Sequence, residues 1–243
     1  MNPVPAIPDG FFATTRWTIV LAAGDLGTPQ SADALEALCQ SYWFPLYAYV
    51  RRRGHTKEDA EDLTQAFFAD LLARRDFVKT DSERGRFRAF LLASLKNFLA
   101  NEWDKSQRLK RGGSITHFSL DWQSADSQFQ IADATMRSPD EIFDREWAVA
   151  LLERVIVRLR DEWAAEGKAE RFDRMKSFLT VGKGEIPYAQ AAEEQGIDEG
   201  TLRVTVHRLR KRYRELLRKE VADTLADPAM VEEELAVLLG AFR

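Results

Sequence analysis

One cysteine, Cys39, stands in a chain of 243 residues. A single thiol cannot close an internal disulfide, which fits a reducing compartment. It lies in an apolar, helix-like run and reads as a small core residue rather than a nucleophile. No apolar run approaches the ~20 residues that a membrane span needs, so no membrane contact is expected. The opening, MNPVPAIPDG, has neither the basic start nor the apolar core of a signal peptide, and its three prolines predict an extended lead-in. There is no Gly-rich phosphate loop and no CxxC or HxxxH pair, and His55, His117 and His207 are too far apart in sequence for metal spacing. No nucleophile–base constellation stands out. The sequence therefore predicts a chain with no catalytic residues, no metal and no cofactor. Strand alternation and internal repeats are missing as well, which leaves helices to build the fold.

What is present is apolar residues, at 45%, and charge, with a formal net of −4. The apolar share is ample for real cores and excludes wholesale disorder. The net charge alone argues against a polyanion ligand, but its distribution reverses the inference. From Arg203 to Lys219 there are eight Lys or Arg and one acid, Glu215. From Arg84 to Arg111 there are eight more, against Glu102 and Asp104. The acids collect at Glu58–Asp62, Asp140–Glu146 and Asp223–Glu234. Local fields govern binding more than the total does.

Helical periodicity and capping signals order the chain. Residues 14–24 predict a first short helix. A second is expected after Asp33 and Glu36, carries Leu35, Leu38, Tyr42, Leu46 and Tyr49, and contains Pro45, which should kink it. Arg51, Arg52, Arg53 and Gly54 close it. Thr56 with Asp59 opens a third, whose core stripe is Ala60, Leu63, Phe67 and Leu71, with Phe68 and Leu72 beside it. Glu58, Asp62 and Gln65 form its polar face, which residue pattern alone reads as solvated. A loop through Lys79 and Arg84 leads to a long helix, about 87–109, that packs Phe87, Leu91, Leu95, Phe98 and Leu99 inward. Arg88, Lys96, Asn97, Asn101, Lys105 and Arg108 are left for solvent or a polyanion. Residues 112–137, rich in Gly, Ser, Asp and Gln, read as an extended linker. Ser138, Pro139, Asp140 and Glu141 make the clearest helix start in the chain. Another helix is expected over about 170–179, and an amphipathic one near the end carries Val231, Leu235, Leu238 and Leu239.

Between these lies Ile186–Lys219, read as a short helix, a turn at Gly196 and a second, longer helix. Leu202, Val206, Leu209, Tyr213 and Leu216 form one stripe at helical period. Arg203, His207, Arg210, Lys211, Arg214 and Arg218 form another, turned by about 100°. A helix that buries one stripe and offers cations on the other suits a helix-turn-helix in a DNA major groove. The expected fold class is all-α, with two helical domains joined by an extended linker, the second domain containing the helix-turn-helix.

Four stretches in this order resemble the extracytoplasmic-function (ECF) sigma factors, initiation subunits of bacterial RNA polymerase. They are AEDLTQAFF (60–68), FRAFLLASLKNFLANEW (87–103), SPDEIFDREWA (138–148) and YAQAAEEQGIDEGTLRVTVHRLRKR (188–212). The resemblance implies a region 2-like domain over 11–111, a linker over 112–137 that runs through the polymerase, and a region 4-like domain over 138–219, followed by a C-terminal helical extension over 220–243. It implies docking on core polymerase by Asp59, Asp62, Gln65 and Phe68. The melted −10 element would meet Lys79, Arg84, Arg86, Arg88, Lys96, Asn97, Asn101, Lys105 and Arg108. The duplex −35 element would meet Thr201, Arg203, Thr205, His207, Arg208, Lys211 and Arg212. Val204 and Thr205 stand where the family has polar and cationic readers, which predicts a different promoter preference. Thr64, beside the acidic face, reads as exposed and open to regulatory phosphorylation. The implied partners are core RNA polymerase and promoter DNA, with an anti-sigma factor or a regulatory kinase as candidates, in the cytoplasm. The competing reading is a free-standing helix-turn-helix regulator that binds duplex DNA without being a polymerase subunit. The extension is expected either to pack on the second domain or to regulate.

Overall fold

The computed structural model describes residues 29–73, 86–106, 122–133, 138–180 and 187–242. The expected helix over 14–24 lies outside them, as do Lys79, Arg84 and Arg108. Among the described residues the fold is all-α, as the periodicity predicts. The helices are α1 (Pro29–Arg52), α2 (Lys57–Ala73), α3 (Phe87–Ser106), α4 (Trp122–Asp133), α5 (Pro139–Ala165), α6 (Ala169–Met175), α7 (Ser177–Thr180), α8 (Tyr188–Glu194), α9 (Glu199–Ala222) and α10 (Val231–Gly240). None is long and apolar enough to cross a membrane.

Several boundaries follow from local chemistry. Gly54 ends α1 at φ 94°, donating its N–H to the Arg51 carbonyl at 2.9 Å. Pro45 sits inside α1, which continues to Arg52. At the start of α2, Thr56 Oγ1 accepts from the Asp59 N–H at 3.1 Å and donates to its carboxylate at 2.8 Å. At the start of α5, the Glu141 carboxylate accepts from the Ser138 N–H at 2.8 Å, and Ser138 Oγ accepts from the Glu141 N–H at 3.3 Å. That is the reciprocal capping box read from the sequence.

The described residues form two compact units, 1–150 with 221–243, and 151–220. In the first unit Tyr42 of α1 stacks on Trp147 of α5 at 4.1 Å between ring centroids, and Phe87 of α3 meets both. Cys39, Phe67, Phe68, Leu91 and Leu95 complete the core, and Cys39 is a buried core residue as expected.

Two findings in this unit differ from the sequence reading. The sequence predicts an extended segment over 112–137, yet it contains α4. Trp122 sets its ring edge-on to Trp43 at 4.9 Å, Arg51 lies over the Phe129 ring at 4.9 Å, and Arg51 pairs with Asp126 at 3.2 Å. Tertiary contact overrides weak helical patterning here. The second concerns the C-terminal extension, expected to pack on the second domain or to regulate: it belongs to the first unit, where Val221, Leu225, Leu235 and Leu238 are buried. Of the apolar face expected for α10, Leu239 is instead exposed.

The second unit is built from the rest of α5 and from α6 to α9. The helix expected near 170–179 is broken into α6 and α7, with Gly167 at φ 73° ahead of them. Leu151, Val155, Leu159, Phe172, Met175, Leu202, Val206, Leu209 and Leu216 fill its core.

Candidate functional site

The second unit presents α8 and α9 joined by a tight turn. Gly196, at φ 63°, donates to the Glu193 carbonyl at 3.0 Å, and Ile197 donates to the Ala192 carbonyl at 3.1 Å. This paired closure is the Schellman ending, and it needs a residue that tolerates positive φ. Asp198 then caps α9, its carboxylate accepting from the Thr201 N–H at 2.9 Å. The stripe Leu202, Val206, Leu209 and Leu216 is buried as the period predicts, and Tyr213 is half-buried. Burial of that stripe sets the opposite side of α9 in solvent.

The side chains on that exposed side are not equivalent. Arg203 is held by Glu199, Nε to Oε1 at 2.9 Å, and lies over the Tyr188 ring at 4.7 Å. Arg212 is clamped by Glu162 at 2.8 and 2.7 Å, which raises its pKa further above the ordinary arginine value. The Thr205 hydroxyl donates to the Thr201 carbonyl at 2.8 Å and accepts from Arg171 at 3.3 Å. Arg210 donates to the Phe178 carbonyl at 2.9 Å and so serves packing. Thr201, His207, Arg208 and Lys211 are exposed, and His207, Arg208 and Lys211 make no hydrogen bond or ion pair among the described residues. Val204 is 50% exposed beside them.

In the first unit the expected docking face is split. Asp59 and Asp62 are exposed on α2, with Glu58 next to them. Gln65 and Phe68 are buried, and Phe68 packs against Phe67 at 5.7 Å, so neither stands on that surface. Gln65 shares the helical face of Glu58 and Asp62 by period, so its burial comes from packing rather than from register. Thr64 is fully buried, its hydroxyl without a hydrogen-bond partner, which corrects its reading as an exposed phosphorylation site.

Among the described residues, Arg86, Arg88 and Lys96 around α3 are paired. Arg88 is 8% exposed, although the sequence leaves it for solvent. It pairs with Asp144 of α5 and, at 3.1 Å, with Glu234 of α10. Burial would lower its pKa, but the two carboxylates outweigh burial and raise it. Arg86 pairs with Glu234 at 2.8 Å and with Glu233. Lys96 pairs with Asp140, a hydrogen bond that holds its pKa above the usual lysine value, and it lies 5.8 Å from the Tyr49 ring centroid. Asn97 and Asn101 are exposed. Lys105 lies in α3, with its side chain outside the described set. Pattern alone could not show these pairings, because every partner lies more than forty residues away in sequence. Among the described residues no cluster of three His, Cys, Asp or Glu side chains could hold a metal ion.

Comparison with curated proteins and with solved structures returns no match. Comparison with protein families returns one. Residues 39–109, less than a third of the chain, match the model of Sigma-70 region 2. The matched span takes in most of α1, all of α2 and all of α3. Sigma factors are non-enzymatic initiation factors, which agrees with the expected lack of catalysis. Residues 39–109 are thus similar to sigma-70 region 2, and that likeness supports a sigma-70 family factor that binds RNA polymerase and takes part in promoter recognition.

Proposed function

We propose that the chain is an ECF-type sigma factor that gives core RNA polymerase its promoter specificity and opens the −10 element. The observation that carries this is the region 2 match over the helices that bear both the acidic α2 face and the basic α3 module. Asp59 and Asp62 are the docking carboxylates, and the exposed side of α3, with Asn97 and Asn101, faces the melted strand. Splayed bases suit such a surface because they offer faces and edges that duplex DNA hides. The α8–α9 pair acts as a helix-turn-helix that enters the duplex −35 element. His207, Arg208 and Lys211 supply its free polar and cationic contacts, and Val204 reads a thymine methyl, an apolar contact that cannot replace a bidentate guanine pair. A sigma factor with these parts works in the cytoplasm, where the polymerase is.

The test is reconstitution of purified core polymerase with this chain on DNA from upstream of its own gene. A stable complex and specific transcripts are expected. Asp62→Arg should abolish complex formation while leaving the circular dichroism spectrum and melting temperature unchanged, because Asp62 is exposed. Tight duplex binding by the free chain with no core complex would support the free-standing regulator instead. The pairing of Arg86 and Arg88 beside α3, with Arg208 and Lys211 on α9 unpaired among the described residues, is the observation that gives this second reading its weight.

A further inference from the structure

The C-terminal extension meets the basic end of α3 in a way that helical packing does not require. The Phe87 N–H, at the first residue of α3, donates to the Thr224 carbonyl at 2.9 Å, and Arg86 forms a single antiparallel bridge with Leu225. After the turn capped by Asp227, α10 opens with Glu232, Glu233 and Glu234. Glu234 is 1% exposed. One of its carboxylate oxygens accepts from Arg88 Nε at 3.1 Å, and the other pairs with Arg86 Nε at 2.8 Å and lies 3.4 Å from Arg88 Nη2. One carboxylate thus bridges two guanidinium groups, while Glu233 adds a second anion at Arg86 and Asp144 a second anion at Arg88.

Two non-bridging oxygens of a phosphodiester reproduce this pattern, since arginine forks bind phosphate and carboxylate alike. A buried ion cluster is a weak way to gain stability, because apolar side chains of similar volume commonly hold as well or better. Its distinguishing property is that another anion can compete for it. The element that carries the carboxylates is only ten residues long, too short to persist as a helix once undocked.

We propose that residues 221–243 are an intramolecular plug, in which Glu233 and Glu234 stand in for nucleic-acid phosphate at Arg86 and Arg88 and are displaced by a single strand. This rests on the reading of the first unit as the part that meets the melted promoter. The plug keeps the free chain from holding single-stranded nucleic acid, and it yields when a strand is delivered at high local concentration.

The experiment measures binding of a short, fluorescein-labelled, mixed-sequence single-stranded DNA to the full chain by anisotropy across a salt series. The Glu233→Gln/Glu234→Gln double variant keeps side-chain shape and removes the charge. It should bind about tenfold tighter at low salt, with a log–log salt slope steeper by about 1.4, for two released cations at roughly 0.7 each. Adding Arg86→Gln and Arg88→Gln should abolish the gain. A folded double variant, verified by circular dichroism, with unchanged affinity and slope overturns the plug. Hydrogen exchange on the wild-type chain tests the same idea without substitution. Bound DNA should speed exchange of the amides of 231–240, and binding with no such change overturns the plug even if the variant fails to fold. A gain in DNA affinity, with no transcription from core polymerase by either chain, leaves the plug standing and removes the sigma-factor reading. Transcription by the wild type with no gain in the variant does the reverse.

Discussion

The basic runs 84–111, around α3, and 203–219, on α9, carry eight Lys or Arg each, and their described cations differ in what they do. Around α3, Arg86 and Arg88 are neutralised by acids more than fifty residues away in sequence, from α5 and α10, with Glu234 buried, whereas the Lys96–Asp140 pair is exposed. On α9 the ion pairs of Arg203 and Arg212 are exposed, so they are weak and screened by salt. Arg208 and Lys211 are free among the described residues. A basic run in sequence therefore measures capacity for a polyanion, and only the fold shows whether that capacity is spent.

The comparison breaks first at its scaffold. Trp147, fully buried between Tyr42 and Phe87, assigns the start of α5 to the first unit. Trp147→Ala should cost about 3–5 kcal/mol of stability, read by denaturant unfolding, and should loosen α3 while sparing the turn at Gly196. Equal loss in both units by hydrogen exchange would undo the assignment. On α9, Arg208→Ala with Lys211→Ala should reduce the log–log salt slope for duplex binding by about 0.9 for each phosphate that is no longer neutralised. A slope that does not move would place the duplex surface elsewhere. Gly196→Ala should cost about 1–2 kcal/mol, because the φ of 63° is strained for alanine although a Cβ there meets nothing within 4 Å. The smallest effect is expected at Thr64. Thr64→Val replaces a buried, unpartnered hydroxyl with a methyl and should raise stability by about 1 kcal/mol, read as an upward shift in melting temperature.

Local signals are readable in this chain. The Thr56 cap, the capping box at Ser138, the glycine after α1 and the turn at Gly196 each depend on a handful of adjacent residues, and each is found where the sequence places it. The buried stripe of α9 is legible for the same reason, since period alone decides it. Partner choice is what local pattern cannot supply. Glu234 sits in a run of acids that any local rule assigns to solvent, yet its carboxylate is among the most buried polar groups described. Segment 112–137 lacks helical period, so α4 forms because Trp122 and Phe129 find α1 to pack on. Likeness to a motif assigns Gln65 and Phe68 to the docking surface, and packing in the first unit buries both.

The first unit is discontinuous, drawing on both 1–150 and 221–243 with the whole of the second unit threaded between. During synthesis its last piece arrives only after another seventy or so residues have been added, a delay of several seconds at about 5–20 residues per second. Through that interval Arg86 and Arg88 lack the Glu233 and Glu234 carboxylates, and the Phe87 amide lacks the Thr224 carbonyl. Until α10 is made, Arg86 has neither of its carboxylate partners and Arg88 has only Asp144, so for those seconds this cationic cluster is open to other anions.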